Sequence, residues 1–86
     1  MNDNIKQKNS INELASAIRV RRKYLRLTQE ELANLSNTSK NFVCQVESGK
    51  STIQLNKLLD ILKTLGLQIH IINGNSIVSF SDDIQH

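Results

Sequence analysis

A single cysteine, Cys44, is all that this 86-residue sequence offers for covalent cross-linking, so no internal disulfide is available. The two histidines, His70 and His86, have no partners at zinc-ligand spacing, which leaves no metal site. Neither has a nucleophile or a carboxylate pair at useful spacing, which argues against an enzyme. The three glycines (Gly49, Gly66 and Gly74) are isolated, and so no phosphate-cradling loop is present. No apolar run is long enough to span a bilayer, and none near the N-terminus has the form of a signal-peptide core. The expectation is a chain with no cofactor and no membrane partner, and the free thiol suits a reducing cytoplasm. At this length one domain with a small core is expected, and domains of that size often gain stability by forming dimers.

Charge is scarce in the C-terminal fifth and abundant before it. All 11 Lys and Arg lie in residues 1–66 beside six acids, an excess of +5, whereas residues 67–86 carry only Asp82 and Asp83. The basic excess peaks at Arg19-Val20-Arg21-Arg22-Lys23-Tyr24-Leu25-Arg26. Such a run is most often a solvated helix face, and beside a DNA-reading element it would attract a phosphate backbone.

Periodicity divides the chain. Residues 1–9 are polar and mixed in charge, which predicts a flexible start. Ser10 with Glu13 has capping-box spacing, and Ile11, Leu14, Ala15, Ile18 and Leu25 fall near a 3.6-residue period, which predicts a first helix from Ile11 to Tyr24 or Leu25. Thr28-Gln29-Glu30-Glu31 repeats the box ahead of a short second helix with Leu32, Ala33 and Leu35 facing inward. Ser36-Asn37-Thr38-Ser39 is a cluster of turn formers, and Ser39 or Thr38 caps a third helix on Phe42, Val43 and Val46. Gly49 ends it. Leu55, Leu58, Leu59, Ile61, Leu62 and Leu65 make a wide stripe for a fourth helix that Gly66 stops. From Leu67 the period changes to alternation, Leu67-Gln68-Ile69-His70-Ile71, which is a strand signature. Asn73-Gly74 is a tight-turn pair, so Ile77–Phe80 is a candidate second strand, and residues 81–86 read as a flexible tail. The domain plan is thus 10–66 for the helical unit and 67–80 for a strand or hairpin.

Two short helices joined by a polar turn and packed on a longer one form a helix-turn-helix. A B-DNA major groove admits one α-helix, provided a neighbour holds it against the backbone. The outward positions of the third helix are Lys40, Asn41, Cys44 and Gln45. Lysine is a donor to guanine acceptors, and Asn and Gln can pair twice with adenine, each such pair contributing roughly 1–3 kcal/mol of discrimination. These four are the candidate base-contacting residues. Cys44 reads as a small neutral residue rather than a redox switch. Phe42 either touches a thymine methyl or covers the edge of the core.

The segments Leu27-Thr28-Gln29-Glu30-Glu31-Leu32-Ala33 and Thr38-Ser39-Lys40-Asn41-Phe42-Val43-Cys44-Gln45-Val46-Glu47-Ser48-Gly49-Lys50 resemble the Cro/C1-type (XRE) helix-turn-helix family, over about Ile11 to Leu65. The resemblance implies a mainly α bundle of four or five helices that binds double-stranded operator DNA as a homodimer. It places Gln29 at the start of the second helix, where its amide and the backbone N–H groups behind it clamp a phosphate. It also implies phosphate contacts at Thr28, Ser39, Ser48, Lys50 and Ser51, and an ion pair between Arg22 and Glu47 that braces the first helix to the third.

A leucine-rich helix running directly into Leu-x-Ile-x-Ile is similar to HipB-type antitoxins. That likeness implies that Leu67, Ile69 and Ile71 pair with the same strand of a second subunit. It further implies a HipA-type serine/threonine kinase toxin as partner, with the chain repressing its own promoter. A lone strand leaves backbone groups unpaired and a two-fold axis supplies a partner, although a local hairpin through Asn73-Gly74 is an alternative. Two other functions stand beside this one. The first is a stand-alone phage-type or restriction–modification control repressor; the second is a protein-sequestering module that no longer binds DNA.

Overall fold

The computed structural model describes residues 3–73, in the order α1 (Asp3–Tyr24), α2 (Gln29–Ser36), α3 (Lys40–Glu47) and α4 (Leu55–Leu65). Helices α2 and α3 pack on each other and α2 lies on α4, while α1 crosses α3 and α4. Ile18, Leu32, Val43, Ile61 and Leu65, contributed by all four helices, are fully buried where these meet. Each contributes roughly 1.5–3 kcal/mol by leaving water.

The caps expected at α2 and α3 are formed. At α2 the Glu31 N–H donates to Thr28 Oγ1 at 3.0 Å and the Thr28 N–H donates to Glu31 Oε1 at 2.8 Å, a complete capping box. At α3 the Phe42 N–H donates to Ser39 Oγ at 3.0 Å.

All four helices also end in one way. A left-handed residue follows the last turn: Arg26 (φ 62°), Asn37 (φ 57°), Gly49 (φ 82°) and Gly66 (φ 74°). In each case the next N–H reaches back five residues, from Leu27 to Arg22, Thr38 to Ala33, Lys50 to Gln45 and Leu67 to Leu62, at 2.8–3.1 Å. This arrangement satisfies carbonyls that a helix end otherwise leaves unpaired.

Four expectations are corrected. Helix α1 begins at Asp3, so Ser10 lies inside it and caps nothing; no proline or glycine interrupts residues 3–24, and the helix propagates through the Ser10–Glu13 box. Leu35 is exposed and Ser36 is buried in its place, with its hydroxyl donating to the Leu32 carbonyl at 2.7 Å. The buried stripe of so short a helix is one turn wide and falls on Leu32, Ala33 and Ser36. Leu55 and Leu59 likewise stay in solvent while Leu58, Ile61, Leu62 and Leu65 are buried.

The fourth correction concerns residues 67–73, which form no strand; among the described residues nothing lies beside them to supply ladder bonds. The alternation is partly real. Leu67 is buried and Ile69 half-buried against the core, and Gln68 and His70 share the outer side, with Gln68 Oε1 3.2 Å from His70 Nε2. Ile71, expected on the inner side, is 86% exposed. The proposed turn at Asn73-Gly74 and the segment 77–80 fall at or beyond the end of the described residues.

Candidate nucleic-acid interface

Helix α3 has one dry face and one wet face. Val43, Val46 and Glu47 are buried, whereas Lys40, Asn41 and Cys44 are exposed and Gln45 is half-exposed. The structure therefore brings the four expected base-contacting residues onto one outward surface. Phe42 lies at the margin of that surface, half-buried and packed against the core. Its ring covers the core edge, and the Lys57 ammonium of α4 stands 5.9 Å from its centroid.

The brace between α1 and α3 is present and dry. Arg22 Nε donates to Glu47 Oε2 at 2.6 Å and Nη2 donates to Oε1 at 3.0 Å, with side-chain exposures of 10% and 4%. Arg22 Nη1 also donates to the Leu27 carbonyl at 2.8 Å. The hydrogen bonds to Glu47 hold the guanidinium pKa above its ordinary value; the carboxylate's charge adds to that shift and burial opposes it. Stability from such a raised group is complete below the unfolded arginine's pKa and is lost only as pH climbs through the folded one, far into alkali.

Glu47 has a third donor. Gln29 Nε2, at the first position of α2, donates to Glu47 Oε1 at 3.2 Å. The amide expected to clamp a phosphate is thus tethered through one N–H to the buried carboxylate at the end of α3. A primary amide carries two N–H donors, so the tether takes up one of the pair.

The remaining expected phosphate contacts are mixed in what they have free. Thr28 and Ser39 are exposed, but their hydroxyl oxygens already accept the capping N–H groups. Ser48 donates its hydroxyl hydrogen to the Gln45 carbonyl at 2.9 Å. Lys50 and Ser51 are exposed just past Gly49.

Two roles of the basic run were not visible in sequence. Arg19 Nη1 donates to the Glu47 carbonyl at 3.0 Å, across 28 residues, and Arg21 Nε donates to the Leu65 carbonyl at 2.9 Å, across 44. Both cations sit at helix C-termini, where the backbone dipole favours positive charge. Arg21 also lies 5.2 Å from the Tyr24 ring centroid. The run that looked like a solvated face or a phosphate attractor is in large part internal mortar. The Lys57–Phe42 contact was missed as well, because nothing local in sequence relates positions 42 and 57.

Comparison with known proteins agrees with this geometry. A family model described as a helix-turn-helix domain matches residues 1–72. An uncharacterised HTH-type transcriptional regulator of Sinorhizobium fredii, y4mF, is 37% identical over 60 residues, covering 70% of this chain and 79% of its own length. Among solved structures, one named MDT Protein superposes with a TM-score of 0.69 at 25% identity, over 76% of this chain and 92% of its own. The restriction–modification controller protein C.AhdI from Aeromonas hydrophila superposes with a TM-score of 0.60 at 28% identity, over 67% of this chain and 84% of its own.

Proposed function

The chain belongs to the helix-turn-helix domain family, a transcriptional regulator by that kinship, and from this premise we propose that it is a dimeric repressor that reads operator DNA with α3. The observation that carries the proposal is the two-sided character of α3. Its dry side is locked to the core and to Arg22, and its wet side offers Lys40, Asn41, Cys44 and Gln45 together. Gln29 clamps a phosphate at the start of α2, and Thr28, Ser39, Ser48, Lys50 and Ser51 line the adjoining backbone path.

The dimer forms through the segment after α4. Leu67, Ile69 and Ile71 carry it, and the groove between Leu59, Leu62, Leu67 and Ile69 receives the second copy. Supporting this, Ile71 and Ile72 stand 86% and 53% exposed after α4, and a two-fold partner would cover both. The similarity to a restriction–modification controller favours a stand-alone control repressor. A HipA-type kinase toxin is the alternative partner, and the alternating Leu67-Gln68-Ile69-His70-Ile71 sequence that follows α4 is what favours it.

The test is titration of the chain's own promoter DNA across about 50–200 mM salt, with sedimentation to report subunit number and a pull-down to report a kinase. Lys40→Ala with Gln45→Ala is expected to weaken specific binding by thirtyfold or more, from roughly 1–3 kcal/mol per lost base contact, while helicity and dimer persist. Unchanged affinity would remove α3 as the reader. Co-purification of a kinase would replace the control-repressor setting with the antitoxin one.

A further inference from the structure

On the DNA-reading function proposed above, we propose that Lys57 is a second phosphate anchor, on the opposite flank of α3 from Gln29. The positions follow from the turn of the helix, about 100° per residue. The wet face of α3 is centred between Lys40, Asn41, Cys44 and Gln45. One margin of that face is Glu47, which Arg22 of α1 holds from the buried side at 2.6 Å and Gln29 of α2 reaches at 3.2 Å. The other margin is Phe42, and the side chain that reaches it is Lys57 of α4, with its ammonium 5.9 Å from the ring centroid. A helix lying in a major groove about 12 Å wide has a phosphate backbone along each side. The fold therefore brings a hydrogen-bonding side chain from a neighbouring helix to each margin, Gln29 from α2 and Lys57 from α4.

Lys57 suits the task chemically. Its ammonium rests near an aromatic ring, a contact worth about 0.5–1 kcal/mol at an exposed site. The ring aims the charge without neutralising it, and three N–H donors remain for phosphate oxygens. The residue is exposed, and among the described residues it forms no ion pair. Phe42 itself is held by the core, so the platform is rigid where the lysine stem is not.

The experiment is a salt titration of promoter binding by fluorescence anisotropy, comparing the full-length protein with Lys57→Gln. The slope of log affinity against log salt is expected to fall by about 0.9 per subunit, so that affinity drops roughly eightfold per subunit at 0.1 M salt and converges with the parent near 1 M. Lys63→Gln, six residues further along α4, is expected to leave the slope in place. Operators carrying a neutral methylphosphonate at one position at a time then locate the contact. Neutralisation at one phosphate becomes silent in Lys57→Gln and stays costly in Gln29→Ala, with the reverse at a phosphate on the other strand.

A parent slope that Lys57→Gln leaves unchanged overturns this assignment alone and leaves α3 as reader. Loss of the same phosphate in both variants also overturns it, by placing the two side chains on one flank. A parent protein with no salt-dependent affinity for promoter DNA overturns the DNA-reading function and this inference with it.

Discussion

Removing the Glu47 carboxylate is expected to be among the most damaging single changes available to this chain. Its oxygens accept from Arg22 Nε at 2.6 Å, Arg22 Nη2 at 3.0 Å and Gln29 Nε2 at 3.2 Å, in a place where the Arg22 and Glu47 side chains are 10% and 4% exposed. Glu47→Ala leaves the guanidinium buried with only the Leu27 carbonyl as partner. Breaking a buried pair from one side costs about 3–5 kcal/mol. An 86-residue domain at roughly 0.05–0.15 kcal/mol per residue has about 4–13 kcal/mol in all. The variant should therefore lose roughly a quarter or more of its stability. Its Tm should fall by about 12 °C or more, at roughly 4–8 °C per kcal/mol for a domain of this size.

Replacing both partners is expected to do far less harm. Arg22→Met with Glu47→Leu removes both charges and refills the space, a change that is often neutral or stabilising by about 1–4 kcal/mol. Urea unfolding followed by circular dichroism, at one fixed protein concentration because subunit association shifts apparent stability, measures the full cycle. The two single variants should each be worse than the double. If Glu47→Ala costs under about 1 kcal/mol, the pair behaves as an exposed one and the dry brace described above does not exist.

Two further changes test the helix ends. Arg26 holds a left-handed conformation that an L side chain adopts at about 1–2 kcal/mol, so Arg26→Gly should raise stability by roughly 0.5–1 kcal/mol after glycine's greater unfolded freedom is subtracted; a lower Tm would contradict it. Gly49→Ala meets the same penalty in reverse at φ 82°, and its new Cβ would stand 3.0 Å from Asn12 Oδ1. A loss of about 1–2 kcal/mol is expected in the same unfolding assay.

What the sequence displays clearly are the features set within a turn or two. The Thr28 and Ser39 caps, the stop at Gly66 and the wet positions of α3 all follow from neighbours three or four residues apart, where spacing determines contact. Leu35 was misplaced because two turns of helix provide too few apolar residues to define a stripe's centre. Arg26 is unreadable in principle, since arginine has no preference for a left-handed turn and holds it because the α1 end requires one. Arg19 and Arg21 find carbonyls 28 and 44 residues away, a choice that only the packed helices make. The Arg22–Glu47 pair was accessible through resemblance to a family, and the Gln29 tether that shares its carboxylate was not. Residues 67–73 have the alternation of a strand, but alternation specifies faces and says nothing about which backbone lies alongside.

The internal use of Arg19, Arg21 and Arg22 has a consequence for how such a reader would find its site. Arg22 is neutralised by Glu47, Arg19 and Arg21 keep their charge but direct donors to helix-end carbonyls, and Lys40, Lys50 and Lys57 are exposed on α3, just past it and on α4. Sequence-blind attraction rises with each phosphate neutralised, so a face with few lysines and several amides holds random DNA weakly. A genome presents on the order of 10⁶–10⁹ wrong sites, and occupancy of the right one depends on the ratio between specific and random affinity. By using arginine donors as mortar, the fold would leave fewer of them to grip phosphates, which would keep the denominator of that ratio small.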